Sequence, residues 1–236
     1  MTEILAIRHA QASFDADDYD QLSTLGEDQA LRLGRWLAAD HDIGFDAVVV
    51  GAMRRHQQTL AGIEQGFAEA GRPLPEAEID TVFNEFDHGA VLSAFLATHP
   101  QHRPIDREAM PGPRDRMQVA RYLLAALRHW ASGAMESQLD EGWFGFRARV
   151  AAAMARLTER HHGRERVLLV TSGGVVAQLA QRALEVPDAR SVDLNIAIRN
   201  SAISEFVVFD GGVRLLGFNQ LPHLSAPGER KLWTHF

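Results

Sequence analysis

The chain has 236 residues, of which 46% are apolar and 23% charged; this is ordinary globular usage with material for a sizeable core, and it excludes a largely disordered or fibrous protein. The 31 Asp and Glu against 24 Lys and Arg leave a formal charge of −7, so no general basic surface exists to neutralise a nucleic-acid backbone, although a local cationic pocket stays open. With no cysteine in the chain, disulfides, thiolate metal sites and cysteine nucleophiles are excluded together.

The opening MTEILAIRHA carries Glu3 and reaches Arg8 and His9 after a short apolar run. It fits neither a signal peptide nor a membrane span, so a cytoplasmic location and no membrane partner are expected. Residues 4–7 and the β-branched run 47–50 predict buried parallel strands. Between them Thr24-Leu25-Gly26-Glu27 has a capping-box pattern, and Leu25, Leu33, Trp36 and Leu37 share one helical face, which makes a βαβ unit. Residues 54–70 read as a helix stopped by Gly71. From 82 to 162 the pattern changes: Pro100, Pro104, Pro111 and Pro113 punctuate a linker, Met117, Ala120, Leu124 and Leu127 follow helical spacing, and a further helix is predicted over 142–161. Residues 167–170 predict a third core strand, Gly173-Gly174 a tight turn, and 175–184 a helix running to Pro187. Strands over 202–209 and 213–218 flank Asp210-Gly211-Gly212, a hairpin signal, and the tail after Leu221 reads as loose. The expected architecture is a single α/β domain over 1–236, a three-layer α/β/α sandwich. Its central sheet is mostly parallel with helices on both faces, and the mainly helical 82–162 insertion forms a lid.

The 11 histidines are scattered without metal-ligand spacing, so no metal is expected. His161 and His162, before Gly163, read as surface residues at a helix end. In open parallel sheets ligands bind outside the carboxyl ends of the strands. Here those ends read Arg8-His9, then Gly51-Ala52-Met53-Arg54-Arg55, then Thr171-Ser172-Gly173-Gly174. Arginine, histidine and glycine ahead of helix N-termini favour phosphate or carboxylate. Each feature also has a plainer reading: Arg8 as a surface ion-pair residue, His9 as a satisfied polar group at the core margin, Gly173-Gly174 as a common turn. Arg54 and Arg55 oppose the helix dipole unless an anion sits nearby. The residues alone leave both readings open.

Five segments in order, Arg8-His9-Ala10-Gln11, Leu22-Ser23-Thr24-Leu25-Gly26 with Gln29-Ala30, Arg55-His56-Gln57-Gln58-Thr59, Glu85-Phe86-Asp87-His88-Gly89 and Val170-Thr171-Ser172-Gly173-Gly174, resemble the histidine phosphatase (phosphoglycerate mutase-like) superfamily. That family runs RHG near the N-terminus, R-x-x-x-T after the second strand, a Glu before a Gly, and a late His-Gly turn. The resemblance implies a phosphomonoesterase in which His9 attacks phosphorus, Arg8 and Arg55 stabilise the transferring group, and Glu85 is general acid and then base. Phosphate binding is implied for Arg8, Arg55, Ser172, Gly173, Gln11 and Ser13. No cofactor is implied; the partner is a small phosphorylated substrate, a phosphohistidine protein or inorganic phosphate. Oligomeric state is not assigned, although two terminal antiparallel strands offer an edge for pairing.

Three departures accompany the resemblance. Ala10 stands for the glycine after the nucleophile. Ala12 and Asp15 stand where relatives often carry Ser or Thr and then Asn. Ser172 stands where the family's second active-site histidine belongs, and losing one such donor typically costs on the order of 10²–10³ in rate. His88 offers a substitute donor. Against the phosphatase stand a catalytically impaired phosphate-binding or interaction protein and, after it, a phosphoglycerate mutase. Arg103, Arg107, Arg114 and Arg116 either recognise acidic substrate groups or are simply solvated. Trp143 and Phe144 either line the lid or pack its helix.

Overall fold

Alternation along three apolar strands decides the layering. The computed structural model describes residues 1–13, 20–102, 113–163, 165–209 and 212–235. Strands β1 (Thr2–Arg8), β2 (Ala47–Val50), β3 (Ala77–Ile79), β4 (Arg166–Thr171), β5 (Ile203–Phe209) and β6 (Gly212–Gln220) form one sheet in the order β3-β2-β4-β1-β5-β6. Pairing is parallel from β3 through β1 and antiparallel for β1 with β5 and β5 with β6. Alternate side chains enter two cores, as strands buried on both faces require.

Ile7, Val48, Val50, Leu168 and Val170 meet Leu33 and Leu37 of helix α1 (Thr24–Ala39) and Leu60, Ile63 and Phe67 of α2 (Arg54–Glu69). Ile4, Ala6, Val49, Val167 and Leu169 enter the second core. Its helices are α3 (His88–Thr98), α4 (Pro113–Ala131), α5 (Trp143–Arg160), α6 (Gly173–Leu184) and α7 (Asp188–Ala197). At its centre Trp130 lies tilted against Phe86 at 4.3 Å between ring centroids and edge-on to Trp143 at 5.0 Å. Burying each such ring stabilises the fold by roughly 1.5–3 kcal/mol. The helices of the 82–162 segment thus share one core with the sheet. Among the described residues no helix is long and apolar enough to cross a membrane.

The structure corrects four sequence expectations. The α1 cap is Ser23, whose Oγ accepts from Gly26 N at 3.1 Å, and Thr24 is already helical. Gly173 and Gly174 are the first residues of α6 rather than a tight turn. Trp36 is 38% exposed although its helical face suggested burial. The tail is not loose: Leu221, His223 and Leu224 are buried, 3₁₀ turns span Pro222–Leu224 and Glu229–Leu232, and Trp233 Nε1 donates to Leu224 O at 2.8 Å. Three elements lay beyond the sequence reading: β3, three residues with a charged centre, α3, and α7, which follows Pro187 and buries only Ser191 and Val192. Trp143 packs in the core and Phe144 is half exposed. The β5–β6 pairing is the expected hairpin; Asp210 and Gly211 lie outside the described residues.

Candidate active site

Register brings the three strand ends together, because Arg8 pairs with Thr171 across β1 and β4 while Val50 pairs with Val170 across β2 and β4. His9 follows β1 and is 7% exposed. Its N donates to Thr171 O at 2.8 Å and its carbonyl accepts from Ser201 N at 3.2 Å. Its ring Nδ1 lies 2.7 Å from Ala10 O. A carbonyl only accepts, so Nδ1 carries the hydrogen and the neutral ring keeps its lone pair on Nε2. Burial, then the Arg55 and Arg8 guanidiniums and His56, hold this imidazole well below its ordinary value of 6.5.

The loop behind the imidazole is pinned at successive residues. Ala10 N donates to Thr59 Oγ1 at 3.0 Å and Gln11 N to Gln29 Oε1 at 2.9 Å. Gln11 Oε1 accepts from Ser23 Oγ at 2.9 Å, and Ser13 N donates to Gln21 O at 2.7 Å. Gln11 and Ser13 therefore sit on the neck of this loop. Arg8 Nη1 donates to Ile198 O, and its Nε lies beside Gly173, 3.4 Å from where a Cβ would stand. Arg55 is 5% exposed; its Nη1 donates to Asp20 Oδ1 at 2.8 Å and its Nη2 to Met53 Sδ at 3.1 Å. Asp20 Oδ2 also accepts from Arg54 N at 2.8 Å. The anion that two arginines at the start of α2 called for is thus met by a carboxylate of the chain itself.

Glu85 is half-buried between a 3₁₀ turn at Thr81–Phe83 and α3. Its Oε2 accepts from Gly174 N at 2.9 Å. A Cβ at residue 174 would fall under 3.0 Å from Glu85 Oε1, so only glycine lets the carboxylate approach this amide. Asp87 caps α3 by accepting from Ala90 N at 2.8 Å, which turns it to the helix rather than to Glu85. His88, half-buried, lies against Phe86 with centroids 4.2 Å apart. Burial lowers its pKa, Glu85 opposes that shift, and Arg55 and Arg8 add to it, so the ring shares the field of these three groups. Ser172 and Gly173 are buried at the start of α6, with Ser172 Oγ 2.6 Å from His56 Nε2. Burial and then Arg55 push His56 down to about 3.

A family profile described as histidine phosphatase superfamily (branch 1) matches residues 4–221. The chain belongs to the histidine phosphatase superfamily. Members of this superfamily are typically phosphohydrolases with a phosphohistidine intermediate, and mutases occur among them. Solved structures share the fold at low identity. A phosphoglycerate mutase from Bacillus anthracis is 15% identical with a TM-score of 0.63, covering 94% of this chain and 94% of that one. An α-ribazole phosphatase from Shigella flexneri is 21% identical with a TM-score of 0.60, covering 92% and 96%. A phosphoserine phosphatase mutant from Entamoeba histolytica, in complex with phosphoserine, is 17% identical with a TM-score of 0.58, covering 95% and 100%. No curated protein matches the chain.

In this member of the superfamily, sequence reasoning had not given roles to His56, Thr59, Gln29 or Asp20. Three of them lie inside the segments that carry the family resemblance, so position was the available signal; Asp20, in a polar loop, offered none. Asp15, Arg103 and Arg107 lie outside the described residues, as do the side chains of Arg114 and Arg116.

Proposed function

We propose that this histidine phosphatase superfamily member is a phosphomonoesterase acting on a small phosphorylated metabolite or a phosphohistidine protein. The observation that carries the reading is the state of His9. It is a neutral imidazole whose Nδ1 hydrogen is committed to Ala10 O, beside two guanidiniums that oppose its protonation. In the proposed reaction the Nε2 lone pair forms the N–P bond as the ester P–O bond breaks, and Glu85 gives its proton to the leaving alkoxide. Glu85 then takes a proton from water, whose oxygen attacks phosphorus; the N–P bond breaks and inorganic phosphate leaves. Arg8 and Arg55 attract the equatorial oxygens, and their planar forks set orientation. Gly173, Gln11 and Ser13 complete the phosphate side, and His88 remains the nearby spare imidazole.

Residues 82–162 are proposed to cover this pocket within a single domain spanning 1–236, supported by Glu85 and His88 standing at the start of that segment. Fold relatives named for phosphoserine, α-ribazole and phosphoglycerate chemistry support a small phosphorylated metabolite as the substrate class.

A second reading has its own support. Ser172 turns its hydroxyl to His56 and Asp20 holds Arg55, as suits a protein that binds phosphate without turning it over. A radiolabelled generic phosphomonoester separates the two. The phosphatase gives a burst of acid-labile phosphohistidine, lost in His9→Ala; phosphate binding without a burst establishes the second reading. Label returned to a phosphorylated acid rather than to water marks a mutase.

A further inference from the structure

Helix α6 begins with a serine that does not do what serine does there. Ser172 occupies the N-cap position with extended backbone, yet its side chain accepts from no amide of the helix. Serine at this position ordinarily accepts from the second or third helical N–H. Here the second of those amides, Gly174 N, is taken by Glu85 Oε2 at 2.9 Å. The serine hydroxyl is instead held 2.6 Å from His56 Nε2, with both residues 0% exposed. His56 comes from the first turn of α2, 116 residues away in the chain, and its ring lies 5.7 Å from that of His9. Space for it exists because residue 51 is glycine: a Cβ there would fall under 3.0 Å from His56 Nδ1.

Ser172 Oγ and Glu85 Oε2 are both acceptors placed for the Gly174 amide, and Val175 N is the other amide a capping serine uses. A Ser172 hydroxyl released from His56 stands at the favoured capping position for the amide that Glu85 uses. We propose that His56 is a positioning residue for the acid/base: by binding Ser172 Oγ it keeps the serine from capping α6 and reserves Gly174 N–H for the Glu85 carboxylate. The inference rests on the phosphatase reading and deepens it. It also gives Ser172 a part in the site without direct contact to phosphate. Because burial keeps His56 neutral, the contact adds no charge beside His9. The orientation of the shared hydrogen does not alter the argument, since either donor holds the hydroxyl in place.

The test measures kcat and KM for p-nitrophenyl phosphate and for an alkyl phosphate, with the phosphohistidine burst, in the full chain and three variants. His56→Gln returns a polar group near the place of Nε2; His56→Leu fills similar volume without one; His56→Leu/Ser172→Ala removes the competing hydroxyl as well. On the alkyl ester, His56→Leu is expected to lose about tenfold or more in kcat with KM held within about twofold, as for a displaced acid/base. His56→Gln stays within about threefold of the unaltered chain. The double variant regains most of the lost rate, because alanine cannot compete for Gly174 N. Should His56→Leu fail to fold in thermal melts, His56→Asn, polar but too short to reach Ser172, takes its place with the same loss and the same recovery. A double variant as slow as the single one, or a single variant at full kcat, overturns the inference while a burst in the unaltered chain leaves the phosphatase reading standing. No burst in the unaltered chain overturns both.

Discussion

The two sides of the candidate site are built on opposite terms. At the ends of β1 and α2 stand two guanidiniums and an imidazole that they help keep uncharged, with the loop between them tied to Thr59 and Gln29. At the ends of β4 and α6 no cation stands in the strand-end segment: a serine meets a neutral histidine, and a glycine amide meets a carboxylate. The difference teaches how one small site separates two tasks. On the proposed phosphatase reading, charge on the transferring group belongs to the arginine side, and proton movement to the glutamate side. His9 stays neutral because a third positive charge in a place poorly reached by water would be uncompensated.

The largest expected effect strikes the proton side. Glu85→Gln should lower kcat by about 10²–10⁴-fold on an alkyl phosphate, and by much less on p-nitrophenyl phosphate, whose leaving group needs no proton. Equal losses on the two esters would erase the contrast between the sides. On the charge side, Arg55→Lys keeps a cation but not the fork, and should cost on the order of 10²–10³ in kcat/KM. Near-full activity would show that charge alone suffices there.

A third prediction sets an imidazole of the pocket beside one outside it. His56 and His223 are both held near 3 against an ordinary 6.5, chiefly by burial. Unfolded chains take up these protons as pH falls below 6.5 while the folded protein does not, so stability is full above that value and declines toward 3. Each histidine contributes a slope of about 1.4 kcal/mol per pH unit. Urea midpoints across that window should fall with acid, and His223→Phe should flatten the slope; an unchanged slope would overturn the assignment. The smallest effect concerns the loop ties. Thr59→Val leaves the buried Ala10 N–H without its acceptor and should cost about 1–3 kcal/mol in thermal or urea unfolding. No measurable change would mean that the Thr59 contact adds nothing to the other ties of the loop after His9.

Much of this was legible along the chain. Apolar runs over 4–7, 47–50 and 167–170 announce strands buried on both faces; β2 coincides with its run, and β1 and β4 extend theirs by a residue or two at each end. Arg8-His9, Arg55 and Glu85 stood out as residues at strand ends and in family-like segments. The errors share a cause. Ser23 and Thr24 are both competent caps, and only the approach of Gly26 N chooses between them. Gly173-Gly174 reads as a turn by composition, but the pair opens α6 and the amide of Gly174 bonds to a carboxylate 89 residues earlier. The tail after Leu221 has two prolines and little pattern, and Gln29 and Arg32 of α1 order it by donating to Leu232 O, Thr234 Oγ1 and Glu229 Oε1.

By itself the sequence determined the alternation of strands and helices, the absence of thiol chemistry and the clustering of arginine and histidine at strand ends, since these follow from residue type and local period. Tertiary structure alone decided which nitrogen of His9 is free, that Asp20 meets Arg55, and that His56 rather than α6 claims the Ser172 hydroxyl. Protonation and hydrogen bonding depend on desolvation and on partners far along the chain, and no local pattern encodes either.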